Sequence, residues 1–158
     1  MHTSDMKKAI VLFNGSQIYN LGPDLTAGQI AAGFGITNPS LYSEFDSEEF
    51  DASCYNFPSA FTLAEEVVGF DLAKAKQIAE GIVNAQSNET AKKTLEGLSY
   101  DVYVAQCALP PEQRVVKYQA AIDANNAIAL ETEQREQAIY AATTIEEVNA
   151  VVYPPAAS

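Results

Sequence analysis

The residues best suited to catalysis are three adjacent pairs of carboxylates. They are Glu48-Glu49, Glu65-Glu66 and Glu146-Glu147. Asp and Glu supply many general acids and bases, but a catalytic pair must reach the same reacting atom. Adjacent side chains on a helix point to different sides, so none of these pairs forms a ready dyad. We interpret them as solvated surface and expect that the chain is not an enzyme.

The possible nucleophiles are one histidine and two cysteines: His2, Cys54 and Cys107. Nucleophilic catalysis by Ser/His or Cys/His requires a base that the fold holds in place, and His2 lies at the end of the chain. Cys54 and Cys107 have the character of reduced, half-buried thiols. A disulfide or a redox pair is the alternative.

Neither metal nor cofactor binding has a complete motif. The carboxylates within residues 43–51 are suitable oxygen ligands for Ca²⁺, but they lack the spacing and the glycine of a calcium loop. Gly28, Gly33 and Gly35 lack the Lys-Ser/Thr that completes a phosphate-binding loop. We therefore expect no cofactor and no metal.

The charge of the chain limits its partners. The formal net charge is -12, and no Lys or Arg occurs between Ala9 and Ala73. Such a field repels nucleic-acid phosphates and acidic membranes, because both are bound through cationic side chains. We expect the partners to be proteins or basic surfaces. No apolar run approaches the length of a membrane span, and the short run after Lys8 does not fit an export signal.

The aromatic residues offer a second route to function, through protein contacts. The chain has eight Tyr, seven Phe and no Trp. Most are expected in the core, but some in the N-terminal half are candidates for an exposed contact patch, because aromatics dominate interface energetics. The candidate contact residues are Val11, Ile18, Tyr19, Tyr42, Tyr55 and Phe57.

The N-terminal elements that would position these residues are a hairpin and short helices. Branched and aromatic side chains flank Asn14-Gly15, which predicts a β-hairpin over residues 8–21 with Val11 opposite Ile18 and Ile10 opposite Tyr19. Such a hairpin must pack on a helix or join a larger sheet. Thr26 is placed to cap a short helix that ends at Gly33 or Gly35.

The rest of the chain has the spacing of amphipathic helices. Thr62 and Glu65 fit a capping box for a short helix through Val68, and Asp71 fits the cap of the next helix. A polar break is predicted at residues 88–90, a long helix from Pro111, and a second capping box at residues 143–146. These patterns predict an α+β fold, mostly α. An N-terminal hairpin and helix unit over residues 7–60 precedes a multi-helix module over residues 62–153.

Residues 30–45, IAAGFGITNPSLYSEF, resemble the helix-turn-helix of TetR-type repressors. The resemblance places Ile30-Ala31 on a first helix, residues 35–37 in the turn, and Leu41-Tyr42 with Phe45 on a second helix. Pro39 and Glu44 depart from that family's pattern, and no Lys or Arg is present to hold phosphates. A DNA-binding regulator is therefore a rival function, and we expect nucleic acid not to be a partner.

Three later stretches resemble a helical module of tail and other virion-associated proteins of tailed bacteriophages. They are FDLAKAKQIAE at residues 70–80, LSYDVYVAQ at 98–106 and AIYAATTIEEVNAV at 138–151. Residues 83–89 depart from the module, which usually has a basic run there. The resemblance implies a structural role in a virion and carries no catalytic residues.

The resulting expectation is a non-enzymatic component of a bacteriophage particle, such as a tail, fibre or head-associated protein. Its partners would be other virion proteins and copies of itself, with no membrane involved. It would occur in the host cytoplasm before assembly and in the virion afterwards. A tail-fibre assembly chaperone, absent from the finished particle, is the alternative.

Overall fold

The computed structural model describes residues 9–13, 17–21 and 25–154 of the chain. The fold is α+β and mostly α, as the sequence predicted. The chain divides into two compact units, Met1–Ala79 with Ala142–Ser158, and Glu80–Ala141. We call them the sheet unit and the helical unit. The strands are β1 (Ala9–Phe13), β2 (Gln17–Asn20), β3 (Tyr42–Asp46), β4 (Phe61–Ala64) and β5 (Val67–Phe70), and the α-helices are α1 (Ala27–Gly33), α2 (Leu72–Thr94), α3 (Tyr100–Cys107), α4 (Val116–Ala141) and α5 (Ile145–Val152).

The predicted hairpin exists, but its predicted register is wrong by one residue. β1 and β2 pair with Val11 opposite Tyr19 and Leu12 opposite Ile18. The strands end at Phe13 and resume at Gln17, so three residues connect them and not the two of an Asn-Gly turn. Loop length sets the register of a hairpin, and the extra residue shifts every pair.

The hairpin gains a third strand, β3, which pairs antiparallel with β1 to give the order β2-β1-β3. Successive residues of β1 then point to opposite faces of this sheet. Phe13 packs with Ala27 and Ala31 of α1 on one face, and Leu12 packs with Phe45 and other apolar side chains on the other. Because both faces are covered by apolar side chains, the three short strands form a stable sheet.

Helix α1 begins where the sequence predicts it. The Thr26 hydroxyl accepts a hydrogen bond from the Gln29 amide, and the Gln29 side chain accepts one from the Thr26 amide at 2.8 Å. This reciprocal capping box satisfies two amides that the first helical turn leaves free.

The second helix of the resembled helix-turn-helix is absent from the structure. Pro39–Leu41 forms a single 3₁₀ turn, capped by Asn38, and Tyr42–Asp46 is strand β3. Phe45 is buried against the sheet core, and pairing with β1 satisfies the backbone of this segment. The helical spacing of Leu41, Tyr42 and Phe45 is therefore overridden by strand pairing.

The predicted helix over residues 62–68 is also wrong, because β4 and β5 form a second hairpin there. Phe61 pairs with Phe70, and both rings enter the core below the first sheet. The connecting turn places Glu65 at φ 52° and Glu66 at φ 68°. Two non-glycine residues in the left-handed region are unusual, and each carries a conformational cost.

Helix α5 completes the sheet unit by packing on the 3₁₀ segment Ala52–Asn56. Val148 and Val152 are buried, and the Asn56 side-chain amide donates to Asn149 at 2.8 Å. The cap of α5 is Thr144, which accepts from the Glu147 amide, so the predicted capping box at residues 143–146 lies one residue too early.

The helical unit contains the later part of α2 together with α3 and α4. Helix α2 runs through the predicted break at residues 88–90, and α4 starts at Val116, after a 3₁₀ turn at Pro111–Gln113. Polar pairs join α2 to α4: Thr94 accepts from the Asn125 amide at 2.7 Å, and Ser87 bonds Thr132 at 2.5 Å. These partners explain why a polar stretch stays helical.

Arg114 fixes the C-terminal end of α3. Its guanidinium donates to the carbonyl oxygens of Gln106, Cys107 and Leu109 at 3.0 to 3.2 Å. The end of a helix leaves such carbonyls without intrahelical partners, and a cation there also complements the helix dipole.

The division into units differs from the predicted boundary between residues 60 and 62. The β4–β5 hairpin, the start of α2 and helix α5 all belong to the sheet unit, because they contribute to or pack near its core. None of the described helices is long and apolar enough to cross a membrane.

Candidate protein-contact surface

The six candidate contact residues do not form one surface. Phe57 is 0% exposed and belongs to the core, so it is excluded from a surface patch. Tyr55 is half-buried, stacked on Phe61, with its hydroxyl donating to the Ser47 carbonyl at 2.5 Å. Ile18 packs on the Leu12 side of the sheet. Val11 lies in β1, and its side chain is outside the described part of the chain.

The other two candidates, Tyr19 and Tyr42, do come together on the α1 side of the sheet. They surround the buried ring of Phe13, with centroids 5.3 Å and 6.5 Å from it. Phe34, in the turn after α1, joins them at 5.0 Å from Tyr19 and 5.7 Å from Phe13. We call Tyr19, Phe34 and Tyr42 the aromatic patch.

The aromatic patch reaches solvent mainly through Phe34, which is 56% exposed. A large apolar side chain held at the surface by neighbouring rings is a typical anchor for a protein contact. Sequence reasoning missed Phe34, because it follows the last turn of a helix and has no periodic neighbours. Gly33 and Gly35 flank Phe34, and this pair of glycines was the one feature of the sequence that could have indicated a turn presenting Phe34 at the surface.

The sheet unit is also the acidic part of the molecule. Glu44 lies on the same sheet face as Tyr19, since both pair with Val11. Among the described residues of this unit, ten carboxylates accompany two cationic side chains, Lys74 and Lys76. A partner with Lys or Arg side chains is therefore favoured electrostatically. The carboxylates are Glu44, Asp46, Glu48, Glu49, Asp51, Glu65, Glu66, Asp71, Glu146 and Glu147.

One pair of carboxyl groups is close enough to share a proton. Asp51 at the start of the 3₁₀ segment and Glu146 in the first turn of α5 are hydrogen-bonded through their side chains. The bond and the charge of Asp51 raise the pKa of Glu146, whereas hydrogen bonds from Ser53 lower the pKa of Asp51. Of the two groups, Glu146 is therefore the first to take up a proton as the pH falls. Both groups are exposed, without the burial that tunes catalytic carboxyls.

Burial shifts the pKa of two side chains beneath this pair. Burial, and then the charge of Asp51, raises the pKa of the Cys54 thiol to about 11. Burial also raises the pKa of Tyr55 to about 12. Cys54 and Cys107 are both free, Cys54 buried and Cys107 exposed, so the expectation of two half-buried thiols is replaced by one of each kind.

We expect iodoacetamide at pH 8 to label Cys107 in the native protein and to leave Cys54 unmodified. The thiolate is the reactive species, and a pKa of about 11 leaves about one Cys54 thiol in a thousand ionised at this pH. Mass spectrometry should find one modified cysteine in the native protein and two after unfolding in urea. Equal labelling of the two thiols in the native state would contradict the buried position of Cys54.

A metal site does not emerge as an alternative in the described residues. No group of His, Cys, Asp or Glu there could hold a metal ion. A groove of about 370 Å³ runs between α2 and α4, with Ala91, Asn125, Ile128 and Thr132 in its lining. Its small and polar walls differ from the apolar and aromatic walls of most ligand pockets.

Comparison with known proteins gives no relative. No family model, no curated protein and no solved structure matches this chain. The aromatic patch and the acidity of the sheet unit are thus the features on which a functional hypothesis depends.

Proposed function

We propose that the chain is a non-enzymatic structural component of a bacteriophage virion, such as a tail, fibre or head-associated protein. It acts by packing against other virion proteins. The observation that carries the proposal is the exposed Phe34 of the aromatic patch, on a unit with ten carboxylates and two lysines among its described residues. Such a surface supports binding to a cationic protein.

The resemblance to the phage module is the reason for proposing a virion as the place where the chain acts. Its three stretches coincide largely with helices: residues 70–80 with the start of α2, residues 98–106 with α3, and residues 138–151 with the end of α4 and with α5. This agreement supports a virion protein over a DNA-binding regulator, whose second helix is replaced by strand β3.

The proposed contact combines an apolar anchor with charge. Phe34 enters an apolar depression on the partner, and Lys or Arg side chains of the partner reach Glu44 beside Tyr19. Cationic side chains also interact favourably with the faces of Tyr and Phe rings. Because one component is electrostatic, binding weakens as the salt concentration rises.

The test is mass spectrometry of purified particles of the virus that encodes the chain, after crosslinking with a carbodiimide that joins carboxylates to lysines. We expect the chain in the particles, with crosslinks from carboxylates of the sheet unit to lysines of another virion protein. Absence from the particles would overturn the proposal, and binding only to assembly intermediates would point to a chaperone.

A matched pair of variants tests the aromatic patch. Phe34→Ser should reduce incorporation into particles at least tenfold with only a modest fall in the thermal midpoint, because the residue is 56% exposed although its ring contacts those of Phe13 and Tyr19. Tyr140→Ser removes an aromatic ring that is 82% exposed on α4 and should incorporate normally. Equal incorporation of the two variants would show that the aromatic patch is not the contact.

A further inference from the structure

The outer side of α4 carries an apolar stripe with no covering element in the described structure. Val116 is 84% exposed and Leu130 is 57% exposed, and Ala120 and Ala127 between them are also exposed. The intervals of four, seven and three residues place all four side chains on one face of the helix. The buried side chains of α4 occupy the opposite face; they are Tyr118, Ala121, Ile122 and Ile139.

We propose that this stripe binds the same stripe of a second copy of the chain, with the two α4 helices antiparallel about a twofold axis near Asp123. In one register of the two helices, the large side chain at each end of the stripe has an apolar partner on the other copy. It sets Val116 of each copy against Leu130 of the other, and Ala120 against Ala127. Because the large side chains lie at the two ends and alanines lie nearer the centre, the helices approach closely along the middle of the stripe.

Charge complementarity selects the second copy as the occupant. The register that pairs Val116 with Leu130 also brings Lys117 of each copy beside Glu131 of the other, twice in the dimer. Both side chains are exposed and lie on the same side of the stripe. In an antiparallel pair related by a twofold axis, that side of one helix faces the same side of the other helix. Lys117 and Glu131 are 14 residues apart, about 21 Å along the helix, so parallel pairing would not bring them together.

One group at the axis opposes association. Asp123, which accepts a hydrogen bond from Gln119 at 2.7 Å, lies next to its own copy in this register. The like charges repel, and two helix faces of this length bury less than the roughly 800 Å² per partner of a standard interface. The dimer is therefore weak and forms only as the concentration rises.

The inference goes beyond the proposed function, because it concerns a different unit and another partner. If the aromatic patch does not bind virion proteins, self-association through α4 is still expected. If the chain does not self-associate, binding through the aromatic patch is still expected. Self-association through α4 would present two acidic sheet units on one particle component.

The test is sedimentation analysis of the full chain over a wide concentration range, with charge-reversal variants. Lys117→Glu alone places Glu against Glu, and Glu131→Lys alone places Lys against Lys. We expect each to weaken self-association roughly tenfold or more, and an equimolar mixture of the two to dimerise, because every cross-pair in the mixture is again of opposite charge. Glu133→Lys, on the other flank, is the matched control and should self-associate like the parent.

Two further variants examine the apolar stripe and the axis. Leu130→Gln should abolish the dimer without altering the helical circular dichroism, and Asp123→Asn should strengthen it. A chain that stays monomeric at every concentration would overturn the inference. So would a dimer that is indifferent to Leu130→Gln, or a mixture of the two charge variants that associates no better than either alone.

Discussion

Replacing Phe61 with Ala is expected to lower the free energy of unfolding by about 3 to 5 kcal/mol, the usual cost of removing a buried Phe. The ring is 2% exposed and lies at the centre of an aromatic cluster. Its centroid is 5.0 to 5.9 Å from those of Phe45, Phe50, Tyr55 and Phe70. Such a loss is a large share of the stability of a domain of this size.

Urea unfolding monitored by tyrosine fluorescence would measure this loss. Tyr140→Ala is the control, because Tyr140 is 82% exposed and its removal should cost much less than that of Phe61. If the two substitutions cost the same, the aromatic cluster described for the sheet unit is not its core.

Replacing Glu65-Glu66 with Asn-Gly is expected to stabilise the protein by about 1 to 2 kcal/mol. Both residues have positive φ, 52° and 68°, which Asn and Gly adopt at far lower cost than Glu. The same variant removes two exposed carboxylates from the acidic sheet unit, so binding to a cationic partner should weaken. Stability and binding would then change in opposite directions.

A variant with Gln at both positions separates backbone strain from charge. Glu65→Gln with Glu66→Gln removes the two charges and keeps the same backbone requirement. We expect it to weaken binding as much as the Asn-Gly variant, with little of the rise in thermal midpoint. A rise of equal size in both variants would show that charge repulsion, and not the left-handed turn, is the source of the cost.

The sequence predicts the parts of the fold that local chemistry determines. The helix cap at Thr26 and the strands flanking residues 14–16 are visible as short patterns, and both elements occur in the structure. The register of the hairpin is not determined locally, because Asn14-Gly15 fits a two-residue turn while three residues connect the strands. A single added residue is enough to change every pair.

Two segments show tertiary contacts overriding local pattern. Thr62 and Glu65 fit a capping box, yet Phe61 and Phe70 gain more by pairing across a hairpin and entering the core. Leu41, Tyr42 and Phe45 have helical spacing, yet strand β3 supplies the missing edge of the sheet. The partner of β3 is β1, far earlier in the chain. The partner of β4 is close in sequence, but the core that these rings enter is assembled from distant segments, so no local window contains the deciding information.

The sequence does not show which of the six candidate contact residues lie together. Tyr19 and Tyr42 are close to Phe13 in the fold, Phe57 is buried, and Phe34, which was not among the six, lies beside Tyr19. Asp51 and Glu146 are far apart in the chain, so their shared hydrogen bond depends on the packing of α5. Only the fold brings such groups together.

The polar pairs between α2 and α4 determine how these two helices are aligned. Two helices joined only by Ala, Ile and Val could slide past each other by one turn and bury nearly the same area. In the observed alignment Thr94 meets Asn125, and Ser87 meets Thr132. A slipped alignment would leave these hydroxyl and amide groups without hydrogen-bond partners, which disfavours the misaligned forms. An interface made only of aliphatic side chains would be more stable but would not specify one alignment.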